Sequence, residues 1–161
     1  MSNGLDGRAE LRLAELGRHL DVAADAIADR HPDSAGDVRA GLDDLHDRLM
    51  RVHELCAEID DRTWSAYTTG LDRGLADLAD DVSAGGATVD DLVYAHAVRL
   101  EVDGWVLRLD LAGRDAPTDG RELIAGAARE IDEYRAAVAA GDAPSRADVE
   151  RALSELRGVV D

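Results

Sequence analysis

The sequence predicts an all-α protein, an antiparallel bundle of about five helices. Capping side chains stand three residues before an acid at four positions, and Gly or Pro residues follow each segment that begins there. Between these signals, apolar residues recur at steps of three and four, which is the spacing of one helix face. We therefore expect a single helical domain over 1–161, with helices at about 7–31, 34–59, 64–83, 88–112, 119–140 and 145–160.

The first two predicted helices should fold back on each other. Each carries one apolar stripe, and His31-Pro32 separates them, so a short turn joins two antiparallel helices. A seam position also makes Cys56 a small buried hydrophobe. The stripes are Leu13, Leu16, Leu20, Ala23 and Ile27, and then Val38, Leu42, Leu45, Leu49, Val52, Cys56 and Ile59.

The third helix follows the second after a break. The apolar stripe resumes at Trp64, five residues after Ile59 instead of four, so its phase changes there. An unbroken helix over 34–83 would be about 75 Å long, whereas a compact chain of this size has a radius of gyration of about 15 Å. We expect the break near Asp60–Thr63 or at Gly70, and the alternative is an elongated coiled coil that dimerises.

The stretch AVRLEVDGWVLRLDLAG has two interpretations. Apolar and polar residues alternate on both sides of Asp103-Gly104, which is typical of a β-hairpin over 98–111. That hairpin would set Arg99 opposite Arg108, and like charges in opposed positions are unfavourable. As a helix, the same residues form two apolar sides, which a central helix of a bundle needs. We predict the helix and keep the hairpin as the alternative.

The last two predicted helices have clear start signals. Asp119 stands three residues before Glu122, and Ser145 stands three residues before Asp148. Apolar residues at steps of three and four follow each start, so both helices should face the core.

The charge of the chain is far from average. All 18 basic residues are Arg, 25 of the 35 acidic residues are Asp, and the net charge is -17. The acids recur every three or four residues instead of forming a block, which indicates solvated helix surfaces. Dense carboxylates without Lys resemble the proteins of salt-accumulating halophiles, so we expect a high-salt habitat. The alternative is an acidic surface built for a basic partner.

The sequence also bears on location. A single Cys forms no internal disulfide, and MSNGLDGRAE lacks the basic start and apolar run of a signal peptide. No apolar stretch approaches the roughly 18 residues that span a bilayer. We expect a cytoplasmic protein that does not enter the membrane.

No motif identifies a reaction. The sequence has no phosphate loop, zinc-type Cys pair, nucleophile elbow or dinucleotide fingerprint, so we expect no cofactor. The acidic charge and the lack of an Arg cluster with interleaved aromatics argue against nucleic acid. We predict a non-catalytic interaction or regulatory module that binds a protein or associates with itself, most simply as a homodimer. Trp64 and Tyr67, beside the break, are the candidate interface residues.

Two other function classes remain as alternatives. Glu58-Ile-Asp-Asp61 and Asp77-Leu-Ala-Asp80 resemble the acid pairs by which all-α nucleotide pyrophosphohydrolases hold magnesium, and this resemblance implies a metal-dependent helical-bundle hydrolase. The third class is a winged-helix transcriptional regulator, which requires the hairpin over 98–111 as its wing.

Four residues form a candidate transition-metal site. If the first two helices fold back about His31-Pro32, His19 lies level with His46. Glu15 precedes His19 by four residues, and Asp43 precedes His46 by three. Two imidazoles and two carboxylates would suit zinc or iron. The competing interpretation is a pair of solvent-facing histidines among surface acids.

Overall fold

A computed structural model describes residues 4–50, 58–85, 88–142 and 144–160. These residues are mainly helical and include no strand, so the predicted all-α class is confirmed. The helices are α1 (Gly4–Arg30), α2 (Ala35–Met50), α3 (Asp61–Ala84), α4 (Val89–Ala112), α5 (Gly120–Ala139) and α6 (Ala147–Val160), with 3-10 turns at Pro32–Ser34 and Gly113–Asp115.

The stretch around Asp103-Gly104 is helical. It lies inside α4, so the alternative with a β-hairpin over 98–111 is wrong, and the wing that a winged-helix regulator requires is absent from this segment. The alternation of apolar and polar residues in this stretch has another cause. Helix α4 packs against helices on both sides, and apolar residues therefore occupy positions all around it, among them Val98 and Trp105, which have no exposed surface.

The break in the apolar stripe lies immediately before α3. Asp60 is extended (φ -68°, ψ 163°), and its carboxylate accepts a hydrogen bond of 2.7 Å from the backbone N–H of Thr63. This is an N-cap, which satisfies one of the free N–H groups at the start of the helix. A continuous helix over 34–83 is therefore excluded, and Gly70 lies inside α3. The predictions for Val52 and Cys56 fall outside the described residues.

The helices pack in two groups that share α4. Helices α1, α2, α4 and α3 form a closed ring in which each packs on its two neighbours. Helices α5 and α6 pack on each other and on α4 from outside this ring. Among the described residues, no helix is both long and apolar enough to cross a bilayer.

Candidate functional site

Two grooves run along α4. One lies between α2 and α6 and the other between α3 and α5, with α4 as the floor of both. We call them the α2/α6 groove and the α3/α5 groove. Their chemistry differs, because long charged side chains cross the first and small side chains line the second.

A buried carboxylate of α4 binds Arg48, which lines the α2/α6 groove. Glu101 of α4 has no exposed surface, and its oxygens accept four hydrogen bonds. Arg157 of α6 donates two of them, from Nε (2.8 Å) and Nη2 (2.7 Å). Arg48 of α2 donates one (3.0 Å), and the Trp105 indole donates the fourth (2.8 Å). Four donors use the full acceptor capacity of a carboxylate.

The network continues toward the groove mouth. Arg48 also donates to Asp44 (2.7 Å) and to Glu150 of α6 (3.1 Å), so one guanidinium joins α2 to α6. The Tyr94 hydroxyl donates to the same Glu150 oxygen (2.6 Å). Arg146 lies over the Tyr94 ring, 4.1 Å from its centroid, in a cation–π arrangement.

These contacts shift the ionisation of Glu101. Burial by itself raises the pKa of a carboxyl group, but the hydrogen bonds from Arg157 and Trp105 and the positive charge of Arg157 outweigh burial and lower the pKa of Glu101 below its ordinary value. Glu101 is therefore ionised at neutral pH. It has no proton to give and no free lone pair for a substrate.

The remaining space in the α2/α6 groove is a cavity of about 330 Å³ whose charged groups bond to each other. Arg48 pairs with Asp44 and Glu150, and Arg146 pairs with Asp90 (2.8 Å). Ion pairs of this kind hold helices together, and each charge already has its counter-charge.

The α3/α5 groove is the larger opening, about 430 Å³. Its apolar floor includes Leu92 and Ala95 of α4. Small side chains form the walls, and most of these are exposed. They are Ala84 and Gly85 at the end of α3, and Ala136 and Ala139 on α5.

Charged groups stand on both walls of this groove. His96, on the floor, contacts Asp81 of α3 through Nε2 (2.7 Å), and the Asp81 side chain is still 42 % exposed. On the opposite wall, Asp132 is 66 % exposed and lies 4.0 Å from Arg99. Arg135, one turn further along α5, also lines the groove. The groove thus combines an apolar floor with charged rims.

The predicted interface residues lie largely inside the chain. Trp64 is only 6 % exposed, its indole donates to Glu15 of α1 (2.8 Å), and Arg12 lies over its ring. Tyr67 is half-buried beside it, with 5.7 Å between the ring centroids. Trp64 therefore packs α3 against α1 and leaves little surface for a partner.

The structure does not bring the four candidate metal ligands together. His46 and Asp43 line a cleft between α1 and α2, beside Gly17. His19 points instead toward α3: its Nδ1 lies 2.6 Å from Asp72, and its Nε2 lies 3.7 Å from Glu15, which also accepts the Trp64 bond. His19 follows Gly17 by two residues, a rotation of about 200° around the helix, so His19 lies on nearly the opposite face of α1 from the cleft that holds His46. Among the described residues, no group of three or more His, Cys, Asp or Glu side chains is arranged to hold a metal ion.

The acid pairs that resemble a magnesium site are also apart. Asp61 and Asp77 lie on the same helix, α3, and are separated by about 24 Å along its axis. Asp61 pairs with Arg12 (2.9 Å). Pairs at opposite ends of one helix cannot converge on one ion.

Sequence reasoning missed the Glu101 network, although one signal was present. Glu101 stands between Leu100 and Val102 in α4, the most apolar of the described helices. A charged residue at such a position is buried and therefore needs counter-charges from other helices. Comparison with known proteins adds no function: no family model, curated protein or solved structure matches this chain.

Proposed function

We propose that this protein is a non-catalytic helical interaction module that binds a protein partner through the α3/α5 groove. The observation that carries the proposal is the open groove itself, a space of about 430 Å³ with an apolar floor between two helices. Grooves of this kind accept apolar side chains of a partner, which gain by leaving water.

The contacts of the buried charges support a non-catalytic role. General acid–base catalysis needs a group that exchanges a proton with the substrate. Glu101, the fully buried carboxylate, is instead saturated by Arg48, Arg157 and Trp105. Among the described residues, every buried side-chain nitrogen or oxygen has a hydrogen-bond partner. These groups stabilise the fold and leave the α3/α5 groove for recognition.

The proposal includes a high-salt cytoplasm as the setting. The support is the net charge of -17 and the absence of Lys. Self-repulsion should weaken the fold in dilute buffer, because the Debye length grows from about 3 Å at 1 M salt to about 30 Å at 0.01 M. The melting temperature should therefore rise steeply with added KCl. A flat curve would contradict salt adaptation. The predicted homodimer is tested by sedimentation equilibrium under the same conditions.

Capture with matched variants tests the interaction role. The bait is the purified protein, incubated with an extract of the cells that produce it, in the KCl concentration at which it is folded. Ala136→Trp places an indole in the groove, whereas Ala14→Trp adds the same indole on an exposed face of α1. A protein retained by the wild type and by Ala14→Trp, but lost with Ala136→Trp, is the expected result.

Two results would overturn the proposal. One is that every protein captured by the wild type is captured equally well by Ala136→Trp. The other is turnover: hydrolysis of nucleotide or phosphate-ester substrates by the pure protein with magnesium or zinc, lost when a chelator removes the metal, would favour the metal-dependent hydrolase.

A further inference from the structure

We infer that the occupant of the α3/α5 groove is a basic amphipathic helix of another protein. This inference rests on the proposed function and adds the shape and the charge of the partner. Three observations lead to it: the small side chains on the walls, the carboxylates on both rims, and the net charge of the whole chain.

The walls have the form that accepts a helix. Packed helices lie 8–10 Å apart, and small residues at the contact allow the closest approach. Here Ala84 on α3 and Ala136 and Ala139 on α5 stand on both sides of a floor formed by Leu92 and Ala95. A third helix laid between α3 and α5 would contact all three helices of the groove, and α4 would then be covered on this side as it is on the other.

The length of the groove limits the contact. On α5 its lining residues extend from Asp132 to Ala139, about two helical turns or roughly 10 Å. Two turns present apolar side chains at positions i, i+3 or i+4, and i+7 of a bound helix. The partner therefore needs two or three apolar anchors on one face.

The rims favour positive charge on the flanks of that helix. Asp81 stands on the α3 wall and Asp132 on the α5 wall, and both remain substantially exposed despite their contacts with His96 and Arg99. Arg135 adds one positive charge on the α5 wall, so the lining holds two carboxylates and one guanidinium. A basic residue on each flank of the partner would meet one carboxylate on each side.

The charged rims argue against a second copy in this groove. Each copy has a net charge of -17, so the acidic surface of a second copy would place carboxylates against Asp81 and Asp132. High salt screens charges beyond about 3 Å, so this repulsion and the attraction of a basic segment act between side chains in contact.

The test uses synthetic helical peptides. Isolated helices shorter than about 12–15 residues are marginal in water, so the basic peptide has about 15 residues. It carries Leu at the three anchor positions, Arg on both flanks and a fluorescent label. One control replaces every Arg by Glu, and another keeps the composition but scatters the Leu residues around the helix. Fluorescence anisotropy with the full chain is measured at the lowest KCl concentration that keeps the protein folded.

We expect the basic peptide to bind and both control peptides to bind at least about tenfold more weakly. Ala136→Trp should weaken the basic peptide at least about tenfold, and Ala14→Trp should leave it unchanged. Asp132→Asn, at an exposed position, should weaken it about threefold and reduce its dependence on salt. Circular dichroism of each variant confirms that the helix content is kept.

The outcomes separate this inference from the proposed function. If the Glu peptide or the scattered peptide binds as tightly as the basic one and Ala136→Trp blocks it, the groove binds partners but the basic helix is wrong. A dimer in sedimentation that Ala136→Trp dissociates overturns the inference in favour of a second copy. If the basic peptide binds no better than the controls, and Ala136→Trp changes no captured protein, both proposals fail.

Discussion

The two sides of α4 handle a polar side chain in opposite ways. On the α2/α6 side, Glu101 is fully buried and receives four hydrogen bonds from two helices and its own indole neighbour. On the α3/α5 side, His96 contacts the single carboxylate of Asp81, which remains half in solvent. The difference follows from the length of the side chains that line the groove on each side of α4.

Long side chains cross and narrow one groove, and short side chains leave the other wider. Arg48 reaches from α2 to α6 and covers α4 between them. At the corresponding place on the other side, Ala84 and Ala136 cannot meet across α4. An opening of about 430 Å³ results, and this is the opening that we propose as the partner site.

The largest expected effect comes from removing the buried carboxylate. Glu101→Ala leaves Arg48 and Arg157 without their buried counter-charge, which should lower the free energy of unfolding by about 3–5 kcal/mol. The same change at the open groove, Asp81→Ala, removes a partly exposed partner of His96 and should cost less than about 1 kcal/mol. Urea unfolding at pH 7 and fixed KCl measures both.

A combined variant controls this prediction. Replacing Glu101 by Leu together with Arg48 and Arg157 by Met leaves no charge in the buried triad. The buried Trp105 indole then has no acceptor, and Asp44 and Glu150 lose Arg48, so only part of the lost stability should return. Equal costs for Glu101→Ala and Asp81→Ala would show that the two sides of α4 do not differ energetically.

Acid should lower the stability of the fold through Glu101, on the α2/α6 side of α4. Its pKa in the folded chain lies below the ordinary value of 4.5, so the ionised form is favoured by folding. The stability it contributes is therefore complete above about pH 4.5 and is lost as the pH falls through the folded pKa. The cost of Glu101→Gln should be largest at pH 7 and shrink below pH 4.5. A cost that stays constant from pH 7 to pH 3 would contradict the assigned ionisation.

The smallest expected effect compares two glycines. A Cβ added to Gly41 of α2 would lie 1.9 Å from Cγ1 of Val93, so either the Val93 side chain must turn or α2 and α4 must move apart. Gly41→Ala should cost about 1–3 kcal/mol. A Cβ on Gly70 of α3 meets nothing within 4 Å, and Gly70→Ala should stabilise the chain by about 0.5–1 kcal/mol because it restricts the unfolded chain. Thermal unfolding of both variants should show shifts of opposite sign.

Much of the fold could be predicted from local patterns. The step of three and four residues predicts helices, and the changed phase after Ile59 predicts the break that Asp60 caps. The two apolar sides of α4 predict its central position. The caps were less informative, because Thr88 and Asp119 occupy N-cap positions without a side-chain hydrogen bond. Helix propensity and packing form those helices without that bond.

Over the described residues, the sequence by itself determined where helices form and which apolar faces of them are buried, because both depend on the spacing of neighbours along the chain. Only the tertiary structure decided which neighbour each face meets. His19 faces α3 instead of His46, and Glu101 binds Arg157, 56 residues away. These pairings depend on the rotation of each helix about its axis and on its distance from the next, and periodicity within one segment carries neither quantity.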